Sequence, residues 1–299
     1  MLTMPIDQFL AKEASELSLE DLKNVKRLLD ERSSAHCLAK WYQVTLNLHN
    51  GRSASCCLQP SKPLSLNAIN ENIGQIHNGE SHVLERTALR QGEKIDECSA
   101  CWNVEKEGRY SERHFKSADS WAIGKMSESD GDPRTIKPTY VEVSFSSQCQ
   151  LRCSYCNPET SSSIAKEVEQ NGPYPDRFTL MGVNDRTLRG VLPLGEQSNQ
   201  ENPYVNAFWQ WLPTVYDDLE VLRVTGGEPF LSEDTFRFMD YVKNHPNPTM
   251  AIEFNSNLSF HAPVFQRFEK AFSLIPRENY KSTTLYVSLD CWGERAEYI

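Results

Sequence analysis

Apolar residues near the N-terminus recur at spacings of three and four, which places them on one face of an amphipathic helix that ends near Arg32. They are Leu19, Leu22, Val25, Leu28 and Leu29. Ser18 is the expected N-cap, and Asp21 stands three residues later in the position of a capping-box acid. Residues 1–34 are therefore predicted to form an N-terminal helical segment.

The pattern then changes to a period of two. Residues 41–48 alternate as in a β-strand, and the turn sequence 49–51 precedes a second short strand that runs into Cys56 and Cys57, so a hairpin is expected. Residues 59–118 are polar and are predicted to be loop-rich, with one helix near 81–91.

A stretch rich in Ser, Asp and Pro, residues 127–138, is predicted to be a linker. It separates a second domain, residues 35–126, from a third, residues 139–299. In the third domain strands and helices alternate, which favours an α/β fold with a parallel sheet and right-handed crossovers. The predicted strands are 140–145, 219–224, 250–254 and 284–289, and the predicted helices are 161–169, 232–244 and 262–273. Residues 171–200 interrupt this alternation as an extended insertion.

The composition, with 39% hydrophobic residues in 299, allows a sizeable core, and a net charge of -10 argues against a broad electrostatic contact with nucleic acid or an anionic membrane. No apolar run approaches the roughly 18 residues needed to cross a bilayer, and the N-terminus does not resemble an export signal. We therefore expect a cytoplasmic protein.

Nine cysteines remain to be explained, and in a reducing compartment metal ligation and catalysis are commoner roles for them than disulfides. Cys291 stands apart from the others and is interpreted as a packed apolar residue. Cys149, Cys153 and Cys156 lie on one predicted loop after the first strand of the third domain, at the edge of the sheet where α/β folds bind ligands. Three thiolates can bind three irons of a cubane cluster and leave the fourth iron open.

This C-x3-C-x2-C loop, with Tyr155 before its last cysteine, resembles the signature of the radical S-adenosylmethionine superfamily. The alternative is a structural zinc site, which would need a fourth ligand. The resemblance extends to Gly226, Gly227, Glu228 and Pro229, which match the family's motif for the amino group of S-adenosylmethionine. Glycines allow close approach of the backbone, and a glutamate can accept a hydrogen bond from an ammonium group.

Two shorter matches follow the next two predicted strands. In relatives, polar groups at the positions of Asn255 and Asn257 lie near the cofactor, and those at Ser288 and Asp290 contact its ribose. Asn255 and Asn257 could equally be turn residues, and Ser288 and Asp290 could equally cap a helix.

The earlier cysteines resemble a second module of the same superfamily. Their spacing is similar to that of the auxiliary-cluster domains called SPASM and twitch, here placed before the barrel. The favoured ligands are Cys37, Cys56, Cys98 and Cys101, with Cys57 as the substitute for Cys56. A four-thiolate site would suit electron relay or structure, and zinc is the rival metal there.

The resemblance implies a partial (β/α) radical S-adenosylmethionine barrel preceded by a small cysteine-rich, twitch-like domain. It further implies a [4Fe-4S] cluster, S-adenosylmethionine, and a reductant such as flavodoxin or ferredoxin. The expected reaction is reductive cleavage of S-adenosylmethionine to a radical that abstracts hydrogen from a peptide substrate, or else from a sugar or nucleotide. The other function class that stays open is a non-catalytic, zinc-binding interaction protein.

The family barrel normally has six strand-helix units, whereas only four strands are predicted here. We therefore expect the sequence to be a fragment of a longer reading frame, or else an unusually short open barrel whose exposed edge strand needs a partner.

Overall fold

Seven strands form one sheet in the order β3-β2-β1-β4-β5-β6-β7 in the computed structural model, which describes residues 17–172, 202–289 and 293–294. The strands are β1 Gln43–Asn47, β2 Arg52–Ala54, β3 Lys62–Pro63, β4 Tyr140–Ser144, β5 Val221–Thr225, β6 Asn247–Ser256 and β7 Tyr280–Val287. The sheet is mixed and mostly parallel: β2 and β3 pair antiparallel, whereas β6 and β7 pair parallel, with Phe254 opposite Leu285. The predicted α/β class is confirmed.

Twelve α-helices are found in the described residues. They are α1 Leu19–Asp30, α2 Leu38–Tyr42, α3 Leu66–Glu71, α4 Gln75–Asn78, α5 Glu80–Arg90, α6 Ser99–Lys106, α7 Glu112–Ala118, α8 Ser120–Ile123, α9 Ser162–Asn171, α10 Pro203–Val215, α11 Glu233–Asn244 and α12 Ala262–Ser273. Short 3-10 turns lie at Asp96–Cys98, Met126–Asp130, Tyr216–Asp218, Pro229–Leu231 and Arg277–Asn279. None of the described helices has both the length and the apolar character needed to cross a bilayer.

Two compact units are present, and each draws on several chain segments. The first, the cysteine-rich unit, comprises the described residues up to Leu46 together with Arg52–Val141 and Ala207–Val221. The second, the strand-helix unit, comprises Asn47–Gly51 and the described parts of Glu142–Asn206 and Leu222–Ile299.

The first helix forms as predicted, because the Ser18 side chain accepts a hydrogen bond from the Asp21 N–H while the Asp21 carboxylate accepts from the Ser18 N–H at 2.8 Å. Its apolar face enters the core of the cysteine-rich unit. That core is made of aliphatic and aromatic side chains that include Val25, Leu29, Leu38, Trp41, Tyr42, Leu89, Trp102, Trp121, Ile123 and Tyr140.

Two predictions for this unit are wrong. The stretch 41–48 begins as the end of α2 rather than as strand, because all five residues of 38–42 are buried and the helix lets each side of the segment pack in the core. The polar stretch 59–118 is predominantly helical rather than loop-rich, with α3 to α7 inside it. Arg86 in this stretch is fully buried and donates to the Lys40 carbonyl at 2.8 Å and to the Pro133 carbonyl at 2.8 Å.

In the strand-helix unit, the predicted strands and helices are present within a few residues of their expected ends. A cluster of aromatic rings packs α11 and α12 against β6 and includes Phe230, Phe238, Phe254, Phe268 and Phe272. The insertion predicted at 171–200 lies almost wholly outside the described residues, as do Asp290 and Cys291.

Candidate metal and cofactor sites

The predicted cluster loop leaves the carboxyl end of β4 and is fixed by the start of α9. The Cys149 N–H donates to the Ser162 hydroxyl at 3.2 Å, and the Ser161 hydroxyl donates to the Leu151 carbonyl at 3.1 Å. Further along, the Cys156 N–H donates to the Cys153 carbonyl at 3.0 Å. These bonds hold the loop at both ends, and its three cysteines are free thiols that are neither fully buried nor fully exposed.

Two glycines bring the loop after β5 against the cluster loop. A Cβ atom on Gly227 would lie 2.3 Å from the Gln148 carbonyl oxygen, and one on Gly226, where φ is +132°, would lie 2.7 Å from the Ser146 carbonyl oxygen. The Glu228 N–H donates to Gln148 O at 2.6 Å. No side chain fits between these backbones, so the glycines are required by packing as well as by conformation.

Glu228 lies beneath this contact and is 1% exposed. Its carboxylate accepts hydrogen bonds from the Ser256 hydroxyl at 2.8 Å, the Asn257 N–H at 2.8 Å and the Phe230 N–H at 3.3 Å. Burial raises the pKa of Glu228, and the three donors oppose that rise. The carboxylate is thereby fixed in one orientation at the carboxyl ends of β5 and β6.

Asn257 contacts both Glu228 and the first cysteine of the cluster loop. Its side-chain amide nitrogen lies 3.8 Å from the Cys149 sulfur. Its side-chain oxygen accepts from the Gln150 amide at 2.9 Å and from the Ser259 N–H at 2.8 Å. The bond to Ser259 supports the interpretation of Asn257 as a turn residue.

Four other residues predicted to bind the cofactor lie in the described part of the chain. Asn255 ends β6 with its Oδ1 atom buried and without a hydrogen-bond partner in the described part of the chain. Pro229 begins a buried 3-10 turn, and Tyr155 is 67% exposed. The Ser288 N–H donates to the Ser256 carbonyl at 2.8 Å, which places Ser288 at the same edge of the sheet.

In the cysteine-rich unit, four cysteines from separate elements line one cavity of about 30 Å³. Cys37 precedes α2, Cys56 follows β2, Cys98 ends a 3-10 turn and Cys101 lies in α6. These are the four residues favoured as ligands from the sequence. Cys57 is exposed and is not among the residues that line the cavity in the described part of the chain.

Burial raises the pKa of each thiol in this set, to about 12 for Cys98. For Cys56 the hydrogen bond with Cys57 is the larger cause and burial the second. Lys40 and Arg113, which also line the cavity, act in the opposite direction on the pKa of Cys37. Thiolates bind iron and zinc, so a bound metal would be needed to keep these sulfurs deprotonated near neutral pH.

Across residues 17–172, 202–289 and 293–294, no three His, Cys, Asp or Glu side chains lie in an arrangement that could hold a single metal ion. No protein family, no curated protein and no solved structure matches the chain.

Sequence reasoning missed Lys40, Arg113 and Ser256. Ser256 is the last residue of β6, between Asn255 and Asn257, and only the structure shows that its hydroxyl donates to Glu228. Lys40 carried a signal, because it stands in the apolar run from Leu38 to Tyr42, where a charged residue calls for a buried partner.

Proposed function

We propose that the chain is a radical S-adenosylmethionine enzyme whose strand-helix unit is part of a (β/α) barrel of that superfamily. The observation that carries the proposal is the connection from Glu228 through Asn257 to Cys149, with distances of 2.8 and 3.8 Å. Three segments far apart in the sequence, each matched to a cofactor-binding motif of the superfamily, meet at one edge of one sheet. A turn or cap that served only the fold would not need all three at that edge.

The residues present fit the proposed cofactors. Cys149, Cys153 and Cys156 provide three soft donors on one loop, which suits a [4Fe-4S] cluster with one open iron. The backbones at Gly226 and Gly227 pack closely against the cluster loop. No side chain therefore separates the N–H and C=O groups of these glycines from that loop. The buried Oδ1 atom of Asn255 has no hydrogen-bond partner among the described residues, so it is an acceptor that a bound molecule could use.

When bound, the cluster and S-adenosylmethionine supply the chemistry, a one-electron cleavage that yields methionine and a 5′-deoxyadenosyl radical. The chain's own residues bind and orient these two cofactors. Glu228, fixed by Ser256 and the Asn257 N–H, offers a carboxylate for the cofactor's ammonium group. The Asn257 amide lies near the Cys149 sulfur, where a hydrogen bond favours the more negative state of the ligand.

The substrate proposed is a peptide, with a sugar or nucleotide as the second choice, and the proposed electron donor is a flavodoxin or ferredoxin. We also propose that the four cysteines around the 30 Å³ cavity hold an auxiliary iron-sulfur cluster, for which zinc is the rival.

The test is anaerobic purification, reconstitution with iron and sulfide, reduction with dithionite and an assay for 5′-deoxyadenosine. The variant Cys149→Ala/Cys153→Ala/Cys156→Ala should form none, whereas the single variant Cys57→Ala, which removes an exposed cysteine, should keep the wild-type rate. Zinc in place of iron with no cleavage by the wild type would overturn the proposal and favour the zinc-binding interaction protein.

A further inference from the structure

Two buried cations share the wall of the four-cysteine cavity. Lys40 is 1% exposed and Arg113 is 2% exposed, and both line the cavity with Cys37, Cys56, Cys98 and Cys101. The wall also carries Lys116 and Glu112, which are half-buried, so cationic side chains outnumber acidic ones there.

Each buried cation also has a carboxylate partner. The Lys40 ammonium donates to Glu85 at 2.6 Å and also to the Gln59 side-chain oxygen. Arg113 donates two parallel hydrogen bonds of 2.9 Å to Glu105 and a third of 2.9 Å to the His36 carbonyl. Within the described residues neither Glu85 nor Glu105 lines the cavity.

In both ion pairs, among the described residues, the cation lines the cavity with the sulfurs and its carboxylate partner does not. Buried ion pairs contribute little net stability, because the loss of hydration offsets most of the attraction, so a packed apolar pair would serve the fold as well. A set of four thiolates around iron and sulfide is an anionic group whose charge becomes more negative on reduction. A fixed cation at the wall stabilises the reduced form more than the oxidised form.

We propose that Lys40 and Arg113 are positioning residues that raise the reduction potential of an iron-sulfur cluster bound by Cys37, Cys56, Cys98 and Cys101. The inference rests on the proposed iron-sulfur chemistry of the chain. In the step concerned, one electron passes from a reduced flavodoxin or ferredoxin to the oxidised cluster, and no bond is made or broken. The two cations set how readily the cluster takes that electron.

The experiment uses the full chain with Cys149, Cys153 and Cys156 changed to Ala, so that only the cavity cysteines can hold a cluster. Iron and sulfide are counted after anaerobic reconstitution, and the cluster is titrated potentiometrically with detection by electron paramagnetic resonance. Lys40→Met should lower the ratio of reduced to oxidised cluster at a fixed potential by about tenfold, which is about 59 mV for one electron.

Lys62→Met is the matched control. Lys62 lies 2.6 Å from the other oxygen of Glu85, but it is more exposed and it does not line the cavity within the described part of the chain. Its loss removes an ammonium from the same carboxylate, and we expect less than a twofold change in the ratio. A merely structural role for Lys40 would not separate the two variants in this way.

Loss of Lys40 alone leaves Glu85 buried with a weakened partner and can impair folding. The double variant Lys40→Met/Glu85→Met removes both charges and keeps the reduced fraction below that of the parent if the inference holds, because Lys40 is the partner that lines the cavity. An unchanged potential in both variants overturns the inference, and so does zinc in place of iron in the parent. Because the parent lacks the other cluster, a failure of the wild type to cleave S-adenosylmethionine would reject the proposed enzyme activity without altering this result.

Discussion

The side-chain amide nitrogen of Asn257 lies 3.8 Å from the sulfur of Cys149. The same residue donates its backbone N–H to Glu228, so one asparagine contacts both the proposed cluster loop and the proposed cofactor carboxylate. Hydrogen bonds to ligand sulfurs help to set the potential of iron-sulfur clusters.

Asn257→Leu should make the cluster at Cys149, Cys153 and Cys156 harder to reduce, with a several-fold lower reduced fraction at a fixed potential. The reason is that an N–H group near a thiolate stabilises the extra negative charge of the reduced state. Potentiometric titration measures the reduced fraction of the cluster at each potential. Asn244→Leu, on the exposed end of α11, is the control and should leave the potential unchanged.

Glu228→Gln should weaken the binding of S-adenosylmethionine by about tenfold or more, since about 1.4 kcal/mol corresponds to a factor of ten. The amide loses the negative charge that would pair with the cofactor's ammonium group, and because Ser256 and the Asn257 N–H donate to different oxygens, its NH2 group can no longer accept one of these two hydrogen bonds. Equilibrium binding to the reconstituted protein gives the dissociation constant. Glu233→Gln, an exposed glutamate at the start of α11, should bind as the wild type does, and equal affinity of both variants would contradict the assigned role.

Gly227→Ala should abolish cluster retention at the cysteine loop. The added methyl group would lie 2.3 Å from Gln148 O and 2.6 Å from Ser147 O, so the two backbones must separate. Iron content after gel filtration provides the readout. The corresponding change at Gly74 meets only the end of the Asn72 side chain, at 3.1 Å, and should retain iron, which shows that the effect is local.

Cys56→Ala and Cys57→Ala form a matched pair of adjacent substitutions. Cys56 lines the cavity, whereas Cys57 is exposed. We expect Cys56→Ala to lose the metal of the cysteine-rich unit and Cys57→Ala to keep it, as measured by metal analysis in the background that lacks Cys149, Cys153 and Cys156. The opposite result would make Cys57 the ligand.

Stability should fall in mild acid because of His82, which is 2% exposed. Burial, followed by the charge of Arg86, lowers the pKa of His82 to about 4, while the His77 carbonyl and the Glu85 carboxylate oppose that shift and Lys40 adds to it. The unfolded chain therefore takes up this proton first, and the stabilisation present above about pH 6.5 is lost as the pH falls towards 4.

Between pH 7 and pH 5 the loss from His82 should be about 2 kcal/mol in the free energy of unfolding. His82→Leu should lose that part of the pH dependence, as followed by urea unfolding at the two pH values. His245→Leu, which removes an exposed histidine, should keep the slope of the wild type. Parallel slopes for all three proteins would show that His82 does not titrate in this range.

Secondary structure could be predicted where a local signal acts alone. The Ser18 and Asp21 capping box and the helix near 81–91 are confirmed, because capping and amphipathic spacing depend on a few adjacent residues. Helix α10 was missed, since its residues Pro203–Val215 are apolar around most of the helix and include Pro213, which gives no clear period. The short helices within 59–118 other than α5 were missed because they are stabilised by contacts distant in sequence, such as those of Arg113 and Ser117 in α7 with His36 and Leu38.

The candidate sites show the same limit. The cysteines and the residues Gly226 to Glu228 could be selected from spacing and residue type, whereas their mutual placement needed the fold. Arg113 could not be selected, because arginine occurs mostly on exposed surfaces. Lys40 stood out only as a charge in an apolar run, and the sequence did not show which cavity it lines.

The cysteine-rich unit takes in Ala207–Val221, a segment that follows the cluster loop in the chain. The N–H groups of Glu220 and Val221 donate to the Thr139 carbonyl at 2.8 and 3.0 Å, and the ammonium of Lys137 lies 2.6 Å from the Asp218 carboxylate. During synthesis on the ribosome, this unit therefore cannot complete its fold until a segment well beyond its own cysteines has emerged. An excised piece ending before residue 139 would lack that segment, so the unit cannot be transplanted as a cassette cut at the apparent linker.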